Sequence, residues 1–280
     1  MNSNMSSRTL KRIFIVGCPR SGTTLLQSML AAHSQLHSFP ETHFWDYTVP
    51  ENRFYRWMKI YSSFDKKIVY NFMRKYDLKT GVNMRPFYLT THRWSKALIK
   101  VLDSFTPTDV GGWIEKTPRH LNYISHISAV CPDAYFIHML REGKDVVASM
   151  YQVTQESPKQ WGGARDINTC IGRWKKDVKR SKQYLEDPQH LFLTYGELVS
   201  KKKKVLQRLS EKLNVTFESK MIEEFSNEAE NLIGNEEEWK QANVEGRKAG
   251  DKFSQIFTKE EQEYIIKAVA DVSLEPFHII

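Results

Sequence analysis

A glycine-rich loop near the start of the chain, G-C-P-R-S-G-T-T from Gly17 to Thr24, constrains the fold more than any other feature. It follows the compact apolar run Lys11–Gly17, which predicts a buried parallel strand. It leads into Thr24–Ala32, a stretch of good helix formers with apolar residues at helical spacing. A strand, a loop and a helix in this order form the first unit of a parallel α/β fold.

Strand and helix patterns alternate along the rest of the chain. This alternation predicts an α/β fold with a mostly parallel central sheet flanked by helices. The last predicted helix carries a capping box, with Thr258 as N-cap and Glu261 three residues later. The predicted strands are Trp113–Lys116, Ala134–Leu140 and His190–Thr194, and the predicted helices are His120–Val130, Glu142–Tyr151, Lys202–Leu213 and Thr258–Ala270.

The composition is that of an ordinary soluble globular protein, with 40% hydrophobic and 26% charged residues in a chain of 280. The net charge of +8 fits either a solvated surface or an anionic ligand or polyanionic partner, and charge alone does not choose between them. No apolar run is long enough to span a bilayer, and no apolar signal core follows the polar start.

The three cysteines, Cys18, Cys131 and Cys170, are odd in number and widely spaced. They match neither a metal-binding spacing nor a disulfide framework. Reduced thiols are typical of a reducing compartment. We therefore expect a cytoplasmic protein with no membrane partner.

The loop has the frame of a phosphate-binding loop. Gly17 and Gly22 are separated by four residues, as in G-x-x-x-x-G-K-[ST]. Glycine allows the backbone angles that turn N–H groups inward, and the following helix points its positive end at the same place. The loop therefore predicts an anion site before any side chain is considered.

Two side chains of the loop narrow the kind of anion. Thr23 stands where a nucleoside-triphosphatase carries the lysine that reaches the β- and γ-phosphates, which argues against a triphosphate donor. Arg20 supplies positive charge from another position. A cysteine phosphatase needs C-x₅-R, and counting from Cys18 that position is Thr24, so this chemistry is excluded.

A second anion site is indicated after the strand Ala134–Leu140. Arg141 leaves the carboxyl end of this strand, where ligands of open α/β sheets gather. Ser149 lies eight residues later, about two helical turns on. The arginine fork and the neutral serine donor suit a phosphate group.

These motifs resemble those of a known family. The segment F-I-V-G-C-P-R-S-G-T-T-L-L resembles the 5′-phosphosulfate loop of the sulfotransferases, above all the branch that includes tyrosylprotein sulfotransferases and many bacterial enzymes. Further matches follow in the expected order, from about Ile13 to Tyr264. The resemblance implies a P-loop nucleotide-binding fold and a sulfuryl donor, 3′-phosphoadenosine-5′-phosphosulfate (PAPS), which leaves as the bisphosphate PAP. It also implies transfer to an acceptor, expected to be a hydroxyl, without a metal.

The resemblance assigns residues to the donor. Gly246–Thr258 resembles the family's R-K-G…G-D loop, although Ala249 stands where glycine is usual and another alignment would bring in Lys252. The implied donor-binding residues are Pro19, Arg20, Ser21, Gly22, Thr23 and Thr24 for the 5′-phosphosulfate, Arg141 and Ser149 for the 3′-phosphate, Tyr195 near the nucleotide, and Arg247 and Lys248 closing over it.

The resemblance also implies the catalytic residues. Glu41, in S-F-P-E-T-H-F-W, is the candidate general base, and His43 beside it is expected to have a minor role. Lys116, in W-I-E-K-T-P-R-H-L, would stabilise charge together with Arg20. His120 is the alternative base, since cytosolic members use a histidine in a similar segment with shorter spacing.

Other functions stay open at this level. A P-loop nucleotide kinase or triphosphatase would need ATP and Mg²⁺, and a non-catalytic polyanion binder would need neither Glu41 nor Lys116. We expect a small-molecule or glycan acceptor and no nucleic-acid partner. The sequence does not say whether the acceptor is a sugar, phenol, alcohol or amine, nor which oligomeric state the protein adopts.

The domain organisation is predicted from composition. Residues 1–10 are polar and predict a disordered leader, and residues 11–280 predict a single domain. Within it, residues 42–110 predict a helical insertion that is rich in aromatic and basic residues and lines the acceptor cleft.

Overall fold

A five-stranded parallel sheet forms the centre of the protein. The computed structural model of the chain describes residues 9–49, 91–232 and 250–277. The strand order is β2-β3-β1-β4-β5, and all four pairings are parallel, which confirms the predicted fold class. The strands are β1 Lys11–Gly17, β2 Leu36–Phe39, β3 Gly112–Lys116, β4 Tyr135–Leu140 and β5 His190–Thr194.

Helices connect the strands and cover the sheet. A short 3₁₀-helix, Pro118–Asn122, follows β3. The α-helices are α1 Thr23–Ala31, α2 Phe44–Thr48, α3 Thr91–Phe105, α4 Ile124–Ser128, α5 Gly143–Glu156, α6 Pro158–Trp161, α7 Ile167–Lys182, α8 Tyr195–Ser200, α9 Lys202–Lys212, α10 Lys220–Glu223, α11 Phe225–Leu232, α12 Gly250–Ile256 and α13 Lys259–Val269.

The central strand β1 explains why its sequence is apolar throughout. Phe14 and Val16 pack into one hydrophobic core, and Ile13 and Ile15 pack into another. Successive side chains of a strand point to opposite faces, so a strand covered on both faces needs apolar residues at every position. The apolar run in the sequence therefore reflects the burial of both faces of β1.

The carboxyl ends of the strands meet at one edge of the sheet. β1 ends at Gly17, β3 at Lys116, β4 just before Arg141 and β5 just before Tyr195. Because the strands are parallel and adjacent, the residues that follow them gather above the sheet. The fold thus assembles in one place the segments that the motifs singled out.

Some local predictions are wrong. The helix predicted over His120–Val130 is two shorter pieces, the 3₁₀-helix and α4, joined at Tyr123, whose backbone angles of φ −127° and ψ 12° are not helical. The edge strand β2 and the long helix α7 were not predicted. Helix α7 does carry a sequence signal, since its N-cap Asp166 accepts a hydrogen bond from Thr169 N. The capping box of α13 is confirmed.

The domain boundaries remain predictions. Residues 1–8 of the expected leader and residues 50–90 of the expected insertion lie outside the described residues. Leu10, at the end of the expected leader, is buried in a core. The described ends of the expected insertion form α2 and α3. No helix of the described chain is long and apolar enough to cross a membrane.

Candidate functional site

The loop between β1 and α1 is shaped by its two glycines. Gly17 lies so close to β4 that a Cβ would stand 2.3 Å from the carbonyl oxygen of Met139. Gly22 has φ +97°, and a Cβ there would stand 2.5 Å from Cδ2 of Tyr195. Backbone can approach its neighbours this closely only where no side chain intervenes. The loop is therefore fixed against β4 and against Tyr195.

The interior of the loop presents donors for an anion. Helix α1 begins with Gly22 as N-cap, without a side-chain cap and without an acidic residue in its first turn. Its first N–H groups and its positive dipole end point at the loop. The hydroxyl of Ser21 is buried without a hydrogen-bond partner among the described residues. Buried polar atoms without a partner are uncommon, so this hydroxyl is a candidate donor for an anion in the loop.

Arg20 links the loop to helix α5. Its backbone lies in the left-handed region with φ 76°, and its Nε donates a hydrogen bond to Ser149 Oγ at 3.0 Å. Burial, followed by the charge of nearby Arg141, lowers its pKa to about 10. Two mutually repelling guanidinium groups in a partly buried place favour an anion between them.

Arg141 is held above the ring of Tyr195. Its guanidinium carbon lies 4.3 Å from the centre of that ring, and its Nη1 donates to Arg20 O at 3.4 Å. Arg141 Nε lies 3.7 Å from Asp145 Oδ2, which makes Asp145 its ion-pair partner. This distance is too long for a hydrogen bond, and the buried Arg141 Nε has no hydrogen-bond partner among the described residues. The structure thus brings together Arg20, Arg141, Ser149 and Tyr195.

Lys116 joins the end of β3 to the phosphate loop. Its side chain is only 2% exposed. Its ammonium group forms an ion pair with the carboxylate of Glu41 and donates to Thr24 Oγ1 at 3.3 Å. A buried lysine needs such partners because an isolated buried charge is costly. Glu41, Lys116 and the loop therefore form one constellation.

His43 contacts Glu41 from another side. Its Nε2 lies 3.2 Å from Glu41 Oε2, and its Nδ1 lies 3.4 Å from Asp46 Oδ2. Burial disfavours the charged imidazolium, but hydrogen bonds with Asp46 and Glu41 outweigh burial and raise the pKa of His43 to about 9. The structure thus brings His43, which the sequence places two residues from Glu41, into direct contact with it, and the expected minor role of His43 stays a prediction.

Glu115 accepts hydrogen bonds from Thr42, which lies between Glu41 and His43, and from Thr117. Its carboxylate accepts hydrogen bonds from Thr42 N at 3.1 Å, Thr42 Oγ1 at 2.9 Å and Thr117 Oγ1 at 2.6 Å. Burial acts to raise its pKa, but the charge and hydrogen bond of His120 together with these donors lower it. Sequence reasoning missed Glu115, although a carboxylate beside Lys116 at a strand end was a visible signal.

His120 is buried beside Glu115 and Trp45. Its side chain is fully buried, with Nδ1 2.9 Å from Glu115 Oε2 and its ring 4.8 Å from the ring of Trp45 in an edge contact. Its Nε2 has no hydrogen-bond partner among the described residues. The structure brings His120 together with Glu115.

Of the remaining predicted site residues, some lie in the described part of the chain and two do not. Arg247 and Lys248 lie outside them, and Lys252 lies on α12, which packs against the helix α5 that carries Ser149. Pro19 and Thr23 lie in the loop and at the start of α1 as predicted. Among the described residues, no group of three or more His, Cys, Asp or Glu is placed to hold a metal ion.

Solved structures of other proteins share this fold. The solved sulfotransferase domain from the curacin biosynthetic pathway superposes with a TM-score of 0.63 at 21% identity, covering 94% of this chain and 99% of that one. A mouse sulfotransferase solved with PAP superposes with a TM-score of 0.54 at 14% identity, covering 93% and 83%. At these identities the likeness shows the fold.

Curated relatives match at the sequence level. An uncharacterized protein of Aquifex aeolicus (strain VF5) is 26% identical over 224 residues, and protein-tyrosine sulfotransferase A of Caenorhabditis elegans is 22% identical over 240 residues. The matches cover 75% and 81% of this chain but only 26% and 55% of those proteins. The sulfotransferase family model matches residues 12–219, from the first strand to beyond the last strand of the sheet. Since this match covers well over half of its length, the chain belongs to the sulfotransferase family.

Proposed function

We propose that the protein transfers the sulfuryl group of PAPS to an acceptor hydroxyl by in-line displacement. One observation carries the proposal: Lys116 contacts both the carboxylate of Glu41 and Thr24 of the phosphate loop. A candidate base, a cation and a donor-binding loop thus meet at a single point. This is the arrangement that an in-line transfer between acceptor and donor requires.

The loop and the arginines fit the two anionic ends of PAPS. The uncapped start of α1 and the orphaned Ser21 hydroxyl suit the 5′-phosphosulfate. Arg141 and Ser149 suit the 3′-phosphate. Arg20 belongs to the phosphate loop and contacts both of these residues. The mouse relative was solved with PAP, which supports the same donor here. No step of this chemistry calls for a metal.

The proposed reaction assigns a role to each group. Glu41 accepts the proton of the acceptor hydroxyl while the oxygen forms its bond to sulfur. The bond between sulfur and the 5′-phosphate oxygen breaks, and its electron pair stays on the leaving PAP. Lys116 and Arg20 stabilise the negative charge that develops there. Lys116 must turn from Glu41 toward the leaving oxygen, which releases the carboxylate for its task.

We assign the base role to Glu41 in preference to His120. The Glu41 side chain is 18% exposed and faces the loop through Lys116, whereas the His120 side chain is 0% exposed and faces Glu115. A general base must reach the proton that it removes. The more exposed Glu41 is therefore our candidate for the base.

We also propose a cytoplasmic location and a small-molecule or glycan acceptor. All three cysteines are buried free thiols, as a reducing compartment favours. Fractionation of cells tests the location.

Incubation with labelled PAPS and panels of hydroxyl and amine acceptors tests the acceptor class. Transfer to amines alone would contradict O-sulfation.

Calorimetry with PAP, beside ATP with Mg²⁺, tests the donor. We expect the wild-type protein to bind PAP and the Arg141→Ala variant to bind it less well. Preference for ATP would favour the kinase. Binding to nucleic acid or sulfated glycan without PAP binding would favour the polyanion binder, which should also tolerate Glu41→Gln and Lys116→Met.

A further inference from the structure

His43 adopts an uncommon backbone conformation at the start of α2. Its angles, φ 49° and ψ 18°, lie in the left-handed region, which residues other than glycine seldom occupy. Its backbone N–H donates to Thr117 Oγ1 at 3.3 Å, and the Thr117 hydroxyl donates in turn to Glu115. Such a conformation persists only where its surroundings hold it, and it concentrates at functional sites. Here it places the imidazole between two carboxylates.

The contacts of the ring form a chain of alternating charge. It runs from Glu41 to His43 at 3.2 Å, from His43 to Asp46 at 3.4 Å, and from Asp46 Oδ1 to Arg119 Nε at 3.1 Å. The Asp46 side chain is only 6% exposed, and the Arg119 side chain is 49% exposed. A carboxylate on one ring nitrogen fixes the orientation of the ring and directs the other nitrogen at its partner. Asp46 thereby aims His43 Nε2 at Glu41.

We propose that His43 is a positioning residue for the transfer, which holds Glu41 in place while Lys116 turns to the leaving oxygen. The inference rests on the proposed function. When Lys116 turns away, Glu41 loses one of its two cationic ion-pair partners among the described residues, and His43 remains as the other. The hydrogen bond from His43 to Oε2 keeps the carboxylate directed, and the Asp46 contact keeps His43 directed in turn.

The charges around His43 determine the pH range over which the protonated ring can hold Glu41. Glu41 and Asp46 contact the ring, Arg119 contacts Asp46, and Lys116 contacts Glu41. Through space, Asp46 also interacts with His120 and with Arg173 of α7. Burial of the ring disfavours the imidazolium, but the hydrogen bonds and charges of Asp46 and Glu41 outweigh burial, so the pKa of His43 is raised to about 9 and its imidazolium persists through neutral pH. The charged hydrogen bond should weaken only above that pH.

Two substitutions of His43 distinguish its hydrogen-bond donor from its titrating charge. Glutamine at 43 can place an amide N–H near the former Nε2, so His43→Gln keeps a donor for Glu41 but not the titrating charge. His43→Ala removes both. We expect kcat to fall about tenfold in the alanine variant and less in the glutamine variant, with the KM for PAPS within about twofold of wild type in both. His92→Gln, on the exposed face of α3, is the matched control and should change neither.

The deciding readout is kcat at saturating PAPS between about pH 6 and 10.5. We expect an alkaline limb near pH 9 in the wild type, its loss in His43→Gln, and its shift to lower pH in Asp46→Asn, because that change removes one carboxylate from the ring. Asp46 contacts the His43 ring directly, so a shift of the limb in Asp46→Asn reports the titration of His43.

The outcomes distinguish this inference from the proposed function. Calorimetric PAP binding confirms that each variant is folded. If the wild type transfers sulfuryl groups but both His43 variants keep kcat within about twofold, or if the alkaline limb persists unchanged in His43→Gln, the positioning role is overturned alone. If the wild type binds no PAP and transfers nothing, the proposed function fails and takes this inference with it.

Discussion

The guanidinium carbon of Arg141 lies 4.3 Å from the centre of the Tyr195 ring, and the same ring lies against Gly22 of the phosphate loop. Arg141 follows β4 and Tyr195 follows β5, so the contact exists because these two strands are neighbours in the sheet. An arginine stacked on an aromatic ring is restrained in orientation. The stack therefore presents the Arg141 fork in a fixed direction beside the loop.

Loss of this fork should weaken the binding of the 3′-phosphate specifically. We expect Arg141→Ala to raise the Kd for PAP about 10- to 100-fold, as for a lost hydrogen bond to a charged group. Arg141→Lys should recover only part of the affinity, since lysine lacks the planar fork. Calorimetry with adenosine 5′-phosphate, which lacks the 3′-phosphate, is the control. Equal losses for both nucleotides would contradict the assignment.

Addition of a single methyl group at Gly22 should disable the loop. The Cβ of Gly22→Ala would stand 2.5 Å from the Tyr195 ring, and φ +97° is unfavourable for alanine. We expect a lower melting temperature and a loss of PAP binding, measured by thermal unfolding with and without PAP. Gly172→Ala is the control, because a Cβ there meets nothing within 4 Å and Gly172 lies in the middle of α7. That change should stabilise the protein slightly.

Glu115 should be important for both stability and activity. Glu115→Gln removes the charged partner of buried His120 and weakens the bonds from Thr42 and Thr117. We expect the free energy of unfolding in urea to fall by about 3 kcal/mol, the scale of a broken buried pair. We also expect a lower kcat, because Thr42 follows Glu41 directly. Exposed Glu263→Gln should change stability by less than about 0.5 kcal/mol, and an equally small effect at Glu115 would refute its role.

A buried histidine pair should make the protein less stable in mild acid. His138 Nε2 lies 2.8 Å from His190 Nδ1, between β4 and β5. Burial, assisted by His190, lowers the pKa of His138, and burial lowers the pKa of His190 to about 4 against the opposing charge of Asp187. Both rings are therefore neutral in the folded protein at pH values where the unfolded chain binds protons.

The sign of the pH effect follows from this difference. Stability should be full above the ordinary histidine pKa of about 6.5 and should decrease as the pH falls toward 4. For His190 alone, we expect a loss of about 2 kcal/mol between pH 7 and 5. Urea unfolding at several pH values measures it, and a double variant, His138→Leu with His190→Leu, should show a shallower dependence. The same slope in both proteins would contradict the prediction.

Local sequence determined the parts of the site that depend on neighbours in the chain. The strand Lys11–Gly17 has its predicted bounds, and the glycines of the loop lie where their spacing placed them. Ser149 lies on α5, eight residues after Arg141, and both side chains contact Arg20. Periodicity, spacing and special backbone residues report such relations because they act within one or two elements.

Tertiary structure decided the contacts between distant segments. Lys116 and Glu41 are 75 residues apart in the chain, and Arg20 and Ser149 are 129 apart, yet each pair is in contact. The order of the strands creates these contacts, and periodicity carries no information on which strand will be the neighbour of another. For the same reason the sequence left Glu115 unnoticed and ranked His120 above His43. An apolar or polar pattern tells which face of an element is covered, whereas the partner that covers it is chosen only when the sheet assembles.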